Sequence, residues 1–313
     1  MEFFGYIRSL FLLSLPLIGG HIAQILIGVG DTLIVGRYST EALAALVLGT
    51  TIFFIIFIFG AGFSFAAMAL VSTANTEGNT SKIRRITRMA LWLSLIFGFL
   101  VSPFFVFSEK LLLLLGQELN LAVLASEYLI YSGIAIFPAL SSSVLRCYLA
   151  GMEYVKVTFY ISIIAVLLNL LINYLLVFGM FGLPELGIVG AGIATVFVNL
   201  FMLISFVIYA KIRLPQHKLF VRFWRPDRGV IGLVLKMGSA IGITNMAEAG
   251  LFSASSIMMG WVGQLELAAH GIALQLASIT FMLHLGLSDA ATIKVSSASV
   301  SYTHLRAHET FAN

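Results

Sequence analysis

Charge is what this chain has least of. Only 10% of its 313 residues are Asp, Glu, Lys or Arg, against roughly a quarter in soluble domains. A water-soluble globule of this length could not cover its surface with so few. Cysteine is nearly missing as well: the lone Cys147 excludes an internal disulfide and says nothing more. Signatures of soluble enzymes are absent too, with no GxxxxGK[ST] phosphate loop, no HExxH, no CxxC and no GxSxG. His270 stands alone in "LAAHGIALQ", so no metal site is expected. A membrane enzyme would lack any catalytic cluster.

Apolar length is what the chain has in abundance. Hydrophobic residues make up 60% of it, and mean hydropathy is +1.03. A helix needs about 20 apolar residues to cross a hydrocarbon core of ~30 Å. Eight such runs occur, near 9–36, 43–74, 88–107, 120–146, 155–180, 187–211, 229–262 and 266–298. Several exceed 25 residues, which predicts tilt or extension beyond the bilayer. Short alternating segments of the β-barrel kind are lacking, so the expected class is an all-α integral membrane bundle. The first run is too long for a cleavable signal peptide and lacks a cleavage-like end.

Basic residues set the expected orientation. Arg8 precedes the first run, and "NTEGNTSKIRRITR" after the second carries Lys82, Arg84, Arg85 and Arg88. Arg146 and Lys156 follow the fourth. The long segment after the sixth holds Lys211, Arg213, Lys218, Arg222, Arg225, Arg228 and Lys236. The alternate loops hold only Arg37 and Lys110. This alternation predicts a cytoplasmic N-terminus. The net charge of +4 is thereby read as topology, with no nucleic-acid partner.

The chain also resembles itself, at the offset that carries position 62 onto position 286. "GFSFAAMALVSTA" (62–74) aligns with "GLSDAATIKVSSA" (286–298), and "LAA" at 43–45 recurs at 267–269. The copies lie in the second and eighth runs, an offset of six, so both have the same orientation, a parallel repeat. The reading is a complete first lobe of six helices at 1–212, an inter-lobe loop at 213–228, and the first two helices of a second six-helix repeat at 229–298. The end, "SVSYTHLRAHETFAN" (299–313), is polar and unlike the rest. It reads as a translated sequencing adapter, with a natural polar tail as the alternative. On the adapter reading, about four helices of the second repeat are missing.

Three acids lie well within the runs: Asp31, Glu248 and Asp289; Glu127 sits nearer the start of the fourth, at the interface. A charge at a helix centre costs about 2.5–3.5 kcal/mol on insertion scales, so each is a functional candidate. The plain alternative is hydrogen bonding that only joins helices. Gln24 lies two turns before Asp31 on the same helical face. Under the repeat offset, Gln24 maps to Glu248 and Asp31 to Ser255, so each repeat offers a polar stripe with one carboxylate. Asn169 and Asn173 are four apart on the fifth run. Pro16, beside Gly19 and Gly20, permits a bend in the first helix.

These stretches resemble the multidrug and toxic compound extrusion (MATE) family, especially its NorM-type branch. The landmarks are "LPLIGGHIAQ" (15–24), "GVGDTLIVGR" (28–37), "LRCYLAGM" (145–152), "LLNLLINYLLVFGMFGLPELGIVGAGIAT" (167–195) and "LAAHGIALQLASITFM" (267–282). The resemblance implies twelve helices in two six-helix lobes and antiport of organic cations against Na+ or H+. It implies that Asp31 takes part in proton or drug binding, that Glu248 is a cation ligand, and that Asn169 and Asn173 are the polar pair of the fifth helix. Some relatives carry an aspartate on that helix; asparagine at both positions departs from them. A further acid of the second lobe would fall beyond Ala298. Glu248 tilts the coupling ion toward Na+. A buried carboxylate can alternate between protonated and ionised forms, and coupling follows if the two forms bias the inward- and outward-open states differently. Pro16 would let the first helix bend between those states.

No cofactor is expected beyond the coupling ion. The expected setting is the bacterial cytoplasmic (inner) membrane, with a monomer acting on small cationic drugs. Two alternatives remain: a lipid-linked glycan flippase, which would favour several arginines in the cavity, and an inactive truncated fragment.

Overall fold

The computed structural model describes the backbone of residues 2–312 and the side chains of residues 8–299. The adapter-like tail at 300–313 therefore lies outside the described side chains. Among the described residues, nine α-helices follow one another: α1 Glu2–Tyr38, α2 Thr40–Thr76, α3 Thr80–Val106, α4 Ser108–Leu114, α5 Leu119–Gly151, α6 Val155–Val177, α7 Gly187–Arg213, α8 Arg228–Val262 and α9 Gln264–Ala312. All but α4 are long and apolar enough to cross a membrane. No strand occurs among the described residues. The chain is an all-α membrane bundle.

Local chemistry sets the helix ends. Ser39, Asn79 and Asp227 each accept a backbone N–H from three residues on, capping α2, α3 and α8. Gly179, at φ 66°, ends α6 in a left-handed turn. The glycines of "GIVGAG" serve close packing. A Cβ on Gly190 would stand 2.8 Å from the Leu176 carbonyl oxygen, so α6 and α7 meet backbone to backbone. Both α1 and α5 continue through Pro16 and Pro138 instead of breaking.

Several boundaries differ from the sequence reading. The fourth run continues as helix to Gly151 and the third begins at Thr80. Arg146 and Arg88 are thus helical residues, not loop residues. The hydropathy of a run marks its apolar part only, whereas backbone hydrogen bonding carries the helix past it. Short α4 was not foreseen; Gly116, at φ 80°, stops it.

Buried side chains form two main clusters. One gathers Val35, Leu46, Phe105, Leu129, Val177 and Leu267. The other gathers Ile83, Leu145, Tyr148, Phe206, Leu219 and Val234. The second extends under the loop after α7. There Arg88 Nη1 donates to the carbonyls of Val221 (2.9 Å) and Arg222 (2.6 Å), and Trp92 Nε1 donates to that of Phe223 at 2.8 Å. His217 is buried in the same loop, its Nδ1 hydrogen-bonded to the Tyr148 hydroxyl.

The repeat has a spatial counterpart. A Cβ on Gly62 of α2 would meet the Gly238 carbonyl and stand 2.6 Å from the nitrogen of Gly242 on α8. A Cβ on Gly286 of α9 would stand 2.7 Å from the nitrogen of Ile18 on α1. Gly286 is the repeat equivalent of Gly62, and Gly242 is that of Ile18. The α2/α8 and α1/α9 seams are therefore one contact made twice, as a pseudo-two-fold axis requires. Close to that axis, Ser72 Oγ of α2 donates to the Ile293 carbonyl of α9 at 2.9 Å.

Gly62→Leu should push α8 off α2 and cost about 1–3 kcal/mol. Gly232→Leu, with nothing within 4 Å of its Cβ position, is the control and should be neutral or stabilising in detergent unfolding. Equal losses for the two would refute the seam. Burial holds the His217 imidazole below its ordinary value of 6.5. An undocked loop therefore binds a proton that the docked one does not. The docked loop should keep its full stability above about pH 6.5 and lose it as pH falls below that value. Amide exchange across 219–224 reads this, and His217→Gln should abolish the pH dependence.

Candidate functional site

Asp31 lies in the last third of α1 and is only 4% exposed. Its neighbour Gly30 explains how α6 reaches it. A Cβ there would stand 2.8 Å from Leu170 Cδ2 and 3.0 Å from Asn169 Oδ1, so only glycine admits α6 this closely. Asn169 and Asn173 are one turn apart and fully buried. Their Nδ2 groups both donate to Asp31 Oδ1, at 2.9 and 2.7 Å. Bonds to a charged acceptor are short and roughly twice as strong as neutral ones. The sequence placed the three residues as candidates, and the fold brings them together.

Three polar atoms in this group remain unused by the chain. Asp31 Oδ2 accepts no hydrogen bond among the described residues, and the amide oxygens of Asn169 and Asn173 are buried without a partner. The carboxylate oxygen can take a proton, and all three oxygens can accept from a cationic group. No group of three or more His, Cys, Asp or Glu suited to a metal occurs among the described residues.

The other candidates are not part of this cluster. Gln24 is half-buried and makes no hydrogen bond among the described residues. Glu248 is exposed on α8 and likewise makes no hydrogen bond or ion pair there. The face of α1 that bears Asp31 is covered by α6. Ser255 is half-buried; its hydroxyl donates to the Phe252 carbonyl at 2.7 Å and lies 3.1 Å from His270 Nε2. His270 thus has a partner that sequence spacing did not reveal.

Two further features escaped the sequence reading. Gln275 of α9 reaches α1 beside Asp31, with Nε2 3.5 Å from Thr32 Oγ1. It stands in the "LAAHGIALQ" stretch, but nothing local marked it. His21 Nε2 lies 2.7 Å from Asp289 Oδ2, and His21 Nδ1 lies 3.5 Å from Arg146 Nη1. These three residues are far apart along the chain, and only the fold brings them together.

Comparison with known proteins accords with this geometry. The MatE family model matches residues 16–175 and 240–312; the second segment begins at the repeat equivalent of the first segment's start. A protein of Agrobacterium fabrum named "Probable multidrug resistance protein NorM" is 44% identical over 299 residues, 95% of this chain and 64% of its own length. A Rhizobium meliloti protein of the same name is 43% identical, over 94% of this chain and 63% of its length. The chain thus spans slightly less than two-thirds of these relatives. An outward-facing structure of a multidrug resistance MATE family transporter of the MOP superfamily superposes with a TM-score of 0.80 at 19% identity, covering 94% of this chain and 65% of that one. A eukaryotic MATE transporter superposes at 0.82 and 16% identity, covering 95% and 66%.

The Asp31 cluster makes a direct energetic prediction. A double-mutant cycle of Asp31→Ala with Asn173→Ala should give a coupling of about 1.5–3 kcal/mol, the range for a bond to a charged group. A coupling near zero in reversible unfolding would mean that the bond is not formed.

Proposed function

The chain belongs to the MatE family, and on that premise we propose that it comes from a secondary active exporter of organic cations and drugs, exchanged for Na+ or H+ across the bacterial cytoplasmic membrane. The whole protein's activity is proposed, because this chain spans 64% of the length of its Agrobacterium relative. The observation that carries the reading is Asp31, a carboxylate buried within a membrane span with one oxygen held by α6 and the other unused.

Ionised, Asp31 attracts a cation; protonated, it has no charge to offer. Asn169 and Asn173 keep its Oδ1 oriented in either state, because a carboxyl protonated on Oδ2 still accepts at Oδ1. Gln24 extends the polar face of α1. Glu248, with Ser255, is the proposed second-lobe counterpart. Pro16 leaves the Leu12 carbonyl without its helical donor, which supports bending of α1. The distribution of Lys and Arg supports a cytoplasmic N-terminus, and no observation requires more than a monomer.

A largely apolar site with a single carboxylate distinguishes cations from neutral or anionic solutes by charge, so selectivity can be broad while sign is strict. Asp31→Asn in the full-length protein should reduce efflux of a fluorescent organic cation from loaded cells at least tenfold, at wild-type abundance in the membrane. Undiminished efflux by that variant would sink the reading.

A further inference from the structure

The Arg146–His21–Asp289 group takes no part in the Asp31 site. His21 is ten residues before Asp31, about 15 Å along α1. The group joins three helices: His21 on α1, Arg146 on α5 and Asp289 on α9. His21 and Asp289 are 3% and 7% exposed. The surrounding wall is apolar, made by Leu13, Leu17, Met68, Cys147, Ala290 and Ile293.

Hydrogen-bond chemistry fixes the protons. A guanidinium only donates, so His21 Nδ1 must accept from Arg146. His21 Nε2 then carries the ring proton and donates to Asp289 Oδ2. In this state the imidazole is neutral and the group carries one positive and one negative charge. Adding a proton spoils it at either place. On Nδ1 it sets a second donor against the guanidinium. On Asp289 Oδ2 it sets O–H against N–H and removes the negative charge that faces Arg146. Arg146 has little slack, since its Nε is already buried without an acceptor.

Position gives the group a mechanical consequence. His21 and Asp289 each lie three residues after Ile18 and Gly286, where α1 and α9 meet at close range. The pseudo-symmetric α2/α8 seam packs without charge: the positions equivalent to His21 and Asp289 are Asn245 and Phe65. Close packing of the repeats therefore does not need an ion pair, yet one seam carries it.

We propose that Arg146, His21 and Asp289 form a second proton-binding site, on the α1/α9 seam, and that occupying it unfastens α9 from α1. The site deepens the transporter reading, because it would tie proton uptake to separation of the two repeats, but the motion itself is independent of transport. The charged and titratable groups around it are few. From α5 they are Arg146 and Cys147. From α9, Lys294 is paired with Glu153 at 2.8 Å. α2 adds Met68 and Phe65, neither of them titratable. Arg8 of α1 and Lys156 of α6 border a surface cavity with Lys294 and Glu153, farther along the seam.

Spin labels at Leu12→Cys and Val295→Cys, both on exposed positions of the two helices (61% and 67%), with Cys147→Ala, report the seam in lipid nanodiscs. A short distance is expected at pH 8, and a longer population should grow toward pH 5. The ratio should change at most about tenfold per pH unit, as one proton requires. His21→Gln should shift the step to lower pH, because Asp289 alone then remains to take the proton. Asp289→Asn should show the long population at both ends of the range. Arg146→Met should move the midpoint. A distance that does not vary with pH in the parent chain overturns the proposal, as does a step that persists unchanged in all three variants. Asp31→Asn should leave the step in place, so loss of efflux in that variant and loss of the seam's response are separable results.

Discussion

Keeping an ionised carboxylate among apolar helices costs free energy that nearby donors help to offset, and Asp31 organises α1 and α6 on that account. Two amide groups from successive turns of α6 converge on one of its oxygens. They can do so because Gly30 removes the side chain that would hold α6 away. The cost of burying the charge, the glycine and the two asparagines form one arrangement. Changing any of them leaves a polar group unpaired where water cannot replace the lost bond.

The second organising feature is the doubled seam. Two helix pairs related by the internal repeat pack through an equivalent glycine, once as Gly62 on Gly242 and once as Gly286 on Ile18. Without a hydrophobic drive between helices in lipid, close backbone approach supplies the attraction. The two seams are alike in packing and unlike in charge. That difference is what makes the α1/α9 side a candidate for control, because its strength depends on protonation and that of the α2/α8 side does not.

Much of this was legible in the amino-acid order. Eight apolar runs mark eight spans, and their basic flanks mark the proposed orientation. The repeat showed in the shared positions of 62–74 and 286–298, and Asp31, Asn169 and Asn173 stood out as polar groups in apolar context. Helix ends were less legible, since Arg88 and Arg146 belong to helices that outrun their hydropathic cores. The Ser255–His270 and His21–Asp289 contacts were not legible at all. Each residue looked solitary, and its partner lay on another helix.

What the sequence by itself determined is whatever depends on composition and period: a helical membrane bundle, its parallel repeat, and which residues must justify a charge in lipid. Family membership followed from the same local order. Only the tertiary structure decided which polar groups meet. It joined Asp31 to α6, and it turned a lone histidine and a lone aspartate, 268 positions apart, into a buried pair. The reason is physical: a helix's period fixes the face on which a side chain sits, but packing between helices fixes what that face touches.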